Sequence, residues 1–381
     1  MTVLHFLTSA NVGGIEILCR DYTSRSHNRN IVVCLRSGGP IAEEMKENGI
    51  KVIELRANSK QLISVFRRLN SLCKEEKVQR IVIHHESMLL HMMAFLLKKC
   101  HPQIKTIAYA HCNAEDMIVS TSVHADGTIS AKRTKKKRWF VTWVLQRADH
   151  VAAISRSVSN SLQKVLGTPK DKITIIYNGI VLDKFQQSAV RRWDDEIRFI
   201  YVGRLIAEKG VQVTLQGLSK IPKEIPWSFQ IVGDGPYRKE LEKQAEQLRI
   251  KEKVCFAGLC NDVPKRLMEA DVFVHLPVWE EGFGITIVEA MAARKLCICA
   301  RSGAIEELIQ NGKDGYLVPK EDPQAFAQTV EKLYKESSRE EYERICEEAG
   351  KSAQRFSMES YVRQLDQLIE GKGCETYESK V

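Results

Sequence analysis

The sequence predicts an α/β protein built on parallel sheets and divided into two domains. Short apolar runs alternate with helix-length segments along most of the chain, the pattern of a parallel sheet covered on both faces. Several of those runs end directly in glycine-bearing turns, and 381 residues suffice for two substantial cores.

In the first half, residues 3–7 read as a buried strand, followed by a turn through Gly13 and Gly14 and a helix from Ile15. Strand, glycine loop and helix start present free N–H groups to an anion, although Gly13 and Gly14 would equally suit a tight turn with no ligand. The Gly-x-Gly-x-x-Gly spacing is absent, which argues against nicotinamide or flavin chemistry. Glu16 is a candidate for positioning acceptor hydroxyls, or an ordinary first-turn glutamate stabilised by the helix dipole. Strands follow at 31–35, 52–55 and 80–83, with helices at 41–48 and 62–73. His84 and His85 are adjacent and point to opposite sides of an extended chain, so one zinc ion would rarely take both; with His91 they read as polar residues near a strand end. Residues 104–110 form a further strand, and His111, Cys112 and Asn113 stand at its C-terminal end, where open α/β sheets place their chemistry.

From 115 to 129 the pattern is irregular, and then Lys132, Arg133, Lys135, Lys136, Lys137 and Arg138 fall within seven positions, with Trp139, Phe140 and Trp143 behind them. A mobile basic segment leading into a helix with exposed aromatic rings would suit an anionic membrane surface. A solvated basic loop, with the aromatics packed into the core, fits equally well. One such run is a weak signal for nucleic acid, and no nucleic acid partner is expected. Residues 150–154 and 173–176 are the last strands of this half, with Ser155 capping the helix between them, and 186–196 is a polar linker.

The second half opens with a strand at 197–202 and the loop Gly203 to Gly210, where Arg204 and Lys209 can converge on one diphosphate as planar fork and point charge. Surface salt bridges are the alternative. A strand at 229–232 runs into Gly233-Asp234-Gly235-Pro236 and a charged helix at 237–248; strands at 254–256 and 272–276 follow. Next comes Glu281-Gly282-Phe283-Gly284-Ile285-Thr286-Ile287-Val288-Glu289, a glycine turn between two carboxylates with a helix behind it. Gly282 and Gly284 let main-chain N–H groups crowd toward a ligand, and the helix start adds more, a plausible diphosphate seat. A glutamate on either side would suit a substrate with phosphate in its middle and hydroxyls at both ends, a nucleotide sugar. Both glutamates could also be ordinary charges flanking a buried helix. A strand at 296–299, a turn at 311–316 and helices at 323–335, 341–351 and from 356 complete the chain.

Glu281 and Glu289, with seven residues between them, resemble the motif of the retaining glycosyltransferases of family 4. The likeness runs from Gly13-Gly14 through Asn178-Gly179-Ile180 with Asp183, Arg204 with Lys209 and Gly233-x-Gly-Pro to Asn311-Gly312. The segment Ala300-Arg301-Ser302-Gly303 departs from the commoner form, which bears on donor details and not on the fold. The resemblance implies the GT-B fold, two facing Rossmann-like domains with an interdomain cleft: an acceptor domain over 1–185, a nucleotide-sugar domain over 186–355, and a final helix, 356–381, packing back on the first. It implies that Gly13 and Gly14 reach toward donor phosphates and acceptor. His111 would bond a hydroxyl of the transferred sugar, with Asn113 beside the acceptor. Arg204 and Lys209 would hold the diphosphate together with Gly203, Gly282, Phe283, Gly284 and Ile285. Glu281 would grip the donor sugar and Glu289 the ribose. The expected reaction is transfer of a hexose or N-acetylhexosamine from a nucleoside diphosphate sugar, UDP first among them, to a saccharide or lipid-linked saccharide acceptor in cell-surface polysaccharide synthesis.

No metal or cofactor is expected, since the sequence has no Asp-x-Asp centre. Two other readings use the same residues: a nucleotide-sugar epimerase, for which no internal acid and base can be assigned, and a non-catalytic membrane assembly module resting on residues 132–143.

Composition narrows the setting. Hydrophobic residues make up 44% and charged residues 28%, and 57 Lys+Arg against 48 Asp+Glu give a formal charge of +9, which suits anionic substrates, lipid or nucleic acid without choosing among them. The 11 cysteines are scattered, without a Cys-x-x-Cys pair, as expected of reduced thiols in a cytoplasmic chain. The apolar run at 3–7 is too short for a signal-peptide core, and no apolar stretch approaches the roughly 20 residues that span a bilayer. The expected location is therefore cytoplasmic, with any membrane contact peripheral and on the inner face.

Overall fold

The computed structural model describes residues 1–57, 61–84, 87–123, 129–185, 196–260, 262–336 and 338–372. The chain begins β1 (Thr2–Leu7), α1 (Gly14–Thr23), β2 (Arg29–Cys34), α2 (Pro40–Glu47), β3 (Lys51–Glu54) and α3 (Leu62–Glu75). It continues with β4 (Arg80–Ile83), α4 (Met88–Cys100), β5 (Lys105–Ala110), α5 (Ala114–Met117), β6 (Val119–Val123) and β7 (Ile129–Arg133). Then come α6 (Lys135–Arg147), β8 (His150–Ala153), α7 (Arg156–Leu166), β9 (Ile173–Ile175), β10 (Ile197–Val202) and α8 (Val211–Leu218). They are followed by β11 (Trp227–Val232), α9 (Arg238–Gln247), β12 (Val254–Gly258), α10 (Val263–Glu269), β13 (Val272–His275) and α11 (Ile285–Ala292). The last are β14 (Leu296–Ala300), α12 (Ile305–Leu308), β15 (Tyr316–Val318), α13 (Pro323–Glu336), α14 (Arg339–Ala353) and α15 (Met358–Glu370).

Two compact units result, Met1–Gly179 with Met358–Val381, and Ile180–Ser357. The chain changes unit at 179/180 and 357/358, a few residues from the expected 185/186 and 355/356, and residues 186–195 of the expected linker lie outside the described residues. The first unit holds a seven-stranded parallel sheet in the order β3-β2-β1-β4-β5-β8-β9. Side chains alternate across it. Leu4 and Phe6 of β1 join the layer formed with α3 and α4, while Leu7 and Cys34 face the layer with Cys19 of α1 and Ile41 and Met45 of α2. The strands are apolar on both faces because both faces are covered.

α15 belongs to the first unit for identifiable reasons. Asp366 accepts hydrogen bonds from Tyr22 Oη at 2.5 Å, Ser26 Oγ at 2.7 Å and Asn28 Nδ2 at 2.9 Å, and lies 3.1 Å from His27 Nδ1. Arg80 Nε donates to the Ile369 carbonyl oxygen at 2.5 Å. A buried carboxylate is tolerable with this many donors, and they hold the helix in one register.

The second unit is a six-stranded parallel sheet, β12-β11-β10-β13-β14-β15, with one large core running from Phe199 and Phe229 through Val274 and Ile298 to Phe326 and Ile345. In both sheets the order reverses beside the first strand, at β1/β4 and at β10/β13. Open α/β sheets bind ligands outside the C-terminal ends of the strands at such points.

Two expectations need correction. The stretch 115–129 is not irregular where it is described: α5 runs to Met117, and β6 (Val119–Val123) pairs antiparallel with β7 (Ile129–Arg133), Val119 opposite Arg133 and Ser120 opposite Lys132. The basic run is therefore no loop. Lys132 and Arg133 belong to β7, where only the backbone is described, and Lys135 to Arg138 are the first turn of α6, started by Thr134, whose hydroxyl accepts from the Lys137 N–H at 3.1 Å. α4 was also unforeseen. Its Leu, Met and Phe residues give little polar face by which to recognise a helix, because it is covered by α3 and α6.

Candidate active site

In the second unit the candidate residues lie on the segments that follow β10 and β13, and Lys209 and Glu281 meet there. β10 is followed by Gly203, whose N–H donates to the Val232 carbonyl at 3.0 Å; Arg204 comes next, its side chain exposed and without a partner among the described residues. The chain then turns through a short 3₁₀ segment ending at Lys209, and the Val278 N–H donates to the Glu208 carbonyl at 3.0 Å, joining this loop to the one after β13.

That second loop carries Glu281, 8% exposed. Lys209 Nζ lies 2.7 Å from its Oε2 and 3.1 Å from its Oε1, and His275 Nε2, at the end of β13, lies 3.0 Å from Oε2. Burial works against ionisation of this carboxyl, but the His275 hydrogen bond and the Lys209 charge outweigh it and hold its pKa well below the usual carboxylate range. Burial depresses the His275 pKa in turn, so the imidazole is neutral and serves as a donor to the carboxylate. Its ring stacks on Tyr201 with centroids 5.9 Å apart.

His275 was not singled out in the sequence, where it closes the apolar run Val272-Phe273-Val274 and reads as part of a buried strand. The structure ends β13 at His275, but in the sequence the apolar run continues to Leu276 and hides that strand end.

Glu289 contrasts with Glu281. It lies in α11, half-buried, and its side chain makes no hydrogen bond among the described residues. Desolvation pushes its pKa up to about 7, and the charge of Lys184 offsets this only in part. One carboxylate is thus locked in the ionised form and the other is poised to gain or lose a proton near neutrality.

Gly284 is the N-cap of α11 at φ +97, leaving the first N–H groups of the helix, Ile285 among them, without intrahelical acceptors. Gly282 is half-buried beside it. Phe283 contributes only main chain to this turn, since its ring is buried edge-on against Phe356 at 5.5 Å. Gly303 holds the Glu281 loop from behind. At φ +55, a Cβ there would come within 2.4 Å of the Glu281 carbonyl oxygen, and the next N–H, that of Ala304, donates to that oxygen at 2.9 Å. Gly303→Ala is therefore expected to destabilise the protein by about 1–3 kcal/mol in thermal or denaturant unfolding, with the Glu281 loop displaced. An unchanged melting temperature would refute the tight contact.

In the first unit the candidates lie around the C-terminal ends of β1, β4 and β5. Gly13 is the N-cap of α1 and Gly14 its first residue. The Glu16 carboxylate closes over Gly13, where an added Cβ would meet its Oε2 at 2.4 Å, so an anion at this helix start would have to displace it. His111, half-buried at the end of β5, lies 4.3 Å from the Tyr109 ring and stacks on His84 at 5.7 Å. His84 shares a 3.0 Å hydrogen bond with His5, whose other nitrogen lies 3.0 Å from Asn30 Oδ1; burial pushes the His5 pKa down to about 4, so His5 is neutral. Asn113 is buried as the N-cap of α5, without a side-chain capping bond, and His85 lies outside the described residues.

Among the described residues, His5, Cys19 and His84 could bring ligand atoms within 4.8 Å of one another around a metal ion. All three are buried, and the His5–His84 hydrogen bond accounts for the approach of the two histidines.

Two parallel-sheet units, one carrying a lysine, an exposed arginine and two glutamates at its strand reversal, define a glycosyltransferase of the GT-B fold. The profile described as Glycosyltransferase Family 4 matches residues 12–184, and that described as Glycosyl transferases group 1 matches residues 183–353. The chain belongs to glycosyltransferase family 4. It is 26% identical to an uncharacterized glycosyltransferase of Methanocaldococcus jannaschii over 87% of both chains, and 29% identical to the N-acetyl-alpha-D-glucosaminyl L-malate synthase of Bacillus anthracis over 59% of this chain and 60% of that one. In fold it is similar to Anabaena HepE in complex with UDP, with a TM-score of 0.81 at 20% identity, covering 97% of this chain and 100% of that one. The lipopolysaccharide-biosynthesis glycosyltransferase WaaG matches with a TM-score of 0.70 at 17% identity over 97% of this chain and 100% of that one.

Proposed function

We propose that this glycosyltransferase moves a hexose or N-acetylhexosamine from a UDP-sugar to a saccharide acceptor, with retention of anomeric configuration and without a metal ion. The observation that carries the proposal is the exposed Arg204, unpartnered among the described residues, on the same short loop as Lys209, which is itself joined to Glu281. Arg204, Lys209 and the N–H groups at the start of α11 would take up the negative charge that grows on the departing diphosphate. Such fixed donors can supply the electrostatic help that a metal ion gives elsewhere.

UDP is favoured because HepE, similar in fold, has been solved with UDP and with UDP-glucose. Glu289 would accept the ribose hydroxyls, and Glu281 would hold the sugar with the lone pairs left on Oε1. In the reaction the acceptor oxygen bonds to the anomeric carbon on the face from which the diphosphate leaves. The C–O bond to the phosphate breaks, and the acceptor proton passes to the departing phosphate oxygen. The two-carboxylate geometry of retaining hydrolases does not transfer, because the glutamates are assigned to opposite ends of the donor.

A lipid-linked saccharide acceptor, in cell-surface polysaccharide synthesis at the inner face of the membrane, fits the fold likeness to WaaG and to the lipopolysaccharide outer core galactosyltransferase WaaB. Among the described residues no helix is long and apolar enough to cross a membrane.

Calorimetric titration with UDP, GDP and ADP, without added metal, tests the donor reading. UDP is expected to bind at micromolar level and to weaken at least tenfold, about 1.4 kcal/mol, in Arg204→Ala. Folded protein that binds none of the three refutes it. Release of UDP that depends on an added saccharide then separates transfer from epimerisation.

A further inference from the structure

We propose that the first unit docks on an anionic lipid bilayer through the rim where α3, α4 and α6 begin. These helices are neighbours in one layer, α3 against α4 and α4 against α6. α3 and α4 each follow a parallel strand, so both start at the sheet's C-terminal edge. α6 ends two residues before β8 enters the sheet, which puts its start at that same edge.

Each start exposes a large apolar side chain: Ile63 at 70%, Met88 at 51% and Trp139 at 67%. Six large hydrophobic side chains are exposed among the described residues of the first unit, and Met1 alone lies away from this edge. Singly scattered exposed hydrophobics are ordinary, but a row along one edge calls for a partner. Phe140 and Trp143 do not contribute, since both turn inward onto α4 beside His91 and Phe95.

The charges name the partner. α6 opens on Lys135, Lys136, Lys137 and Arg138 with no acidic residue in its first turn. Cations at a helix N-terminus oppose the macrodipole, so this placement costs helix stability and is not explained by the fold. Lys137 and Arg138 are turned onto the carbonyls of Val119 and Val165, while Lys135 and Lys136 stand exposed without a carboxylate among the described residues. The whole positive excess of the protein is in this unit: 30 Lys+Arg against 19 Asp+Glu, compared with 27 against 29 in the other. A row of apolar residues beside exposed lysines, with an indole among them, suits the headgroup boundary of an anionic bilayer. His111, the strand-end residue after β5, lies on the same edge of the sheet, so a saccharide carried on a membrane lipid would be presented to it. The docking itself does not depend on the transfer reading.

The test is co-sedimentation of the full chain with vesicles of phosphatidylcholine alone or mixed with phosphatidylglycerol, without sugar nucleotide. Wild type is expected to bind the mixed vesicles only, less at high salt. Lys135→Ser with Lys136→Ser should weaken binding about thirtyfold, and Ile63→Ser with Trp139→Ser at least about tenfold. Unchanged circular dichroism and UDP affinity would show that both variants remain folded, keeping this result separate from the donor reading. Equal binding to both vesicle types, or wild-type binding by either folded variant, overturns the proposal. So does a dimer that both variants dissociate, or nucleic acid binding that they lose in place of vesicle binding.

Discussion

Lys209→Ala is expected to lower acceptor-dependent UDP release by about two to three orders of magnitude, the loss typical when a fixed donor to developing negative charge is removed. The same substitution should also destabilise the folded protein. Lys209 and Glu281 are largely withdrawn from water, with side chains 23% and 10% exposed, and neutral His275 alone would remain to hold a buried carboxylate. Breaking a buried pair from one side costs about 3 kcal/mol. The double variant Lys209→Ala with Glu281→Gln should recover part of that stability and none of the activity, because it removes the orphaned charge and leaves the diphosphate without its lysine. Comparing urea unfolding midpoints with turnover separates the two effects. Turnover within twofold of wild type in Lys209→Ala would remove this residue from the reaction. The pH dependence has a definite sign. The Glu281 pKa is depressed in the folded state, so its contribution to stability is full above the ordinary carboxylate range and is lost as the pH falls below that range.

Glu289→Gln is expected to stabilise the unliganded protein and impair the liganded one. With its folded pKa raised to about 7, the Glu289 carboxyl favours the folded state most below its ordinary value. That advantage falls as the pH rises and is gone above about pH 7, a difference of up to about 3 kcal/mol. Glutamine imitates the protonated form at every pH. The variant should therefore unfold at higher temperature than wild type at pH 8, with the gap closing toward pH 5. If the carboxylate accepts the ribose hydroxyls, UDP must hold it ionised, so binding near neutrality should release a proton and become tighter as the pH rises. Titration in buffers of different ionisation enthalpy reads that proton directly. Glu289→Gln should abolish the release and weaken UDP at least about tenfold. Proton release unchanged by the substitution would place the ribose elsewhere.

Much of the fold was legible because parallel sheets buried on both faces demand apolar strands, and their turns demand glycine. The strands at 80–83 and 197–202 fall where the apolar runs place them. α4 escaped notice because a helix covered on several sides loses its polar stripe, and the β6–β7 hairpin because its serines and threonines carry no apolar alternation. Of the aromatics after the basic run, Trp139 is exposed while Phe140 and Trp143 pack inward, a division that follows from the position of α4.

The candidate site divides in the same way. Composition and spacing raised Glu281, Glu289, Arg204 and Lys209 as candidates, because converging charge and a glycine turn must be written locally in the chain, and the resemblance to family 4 favoured them over ordinary surface charges. Only the tertiary structure decided that Lys209 pairs with Glu281 while Arg204 stays exposed, that His275 completes the pair, and that the pKa values of the two glutamates shift in opposite directions. Those outcomes depend on which loops the β10/β13 reversal brings side by side and on how much water each carboxylate keeps. Both are properties of packing between distant segments, and no local pattern encodes them.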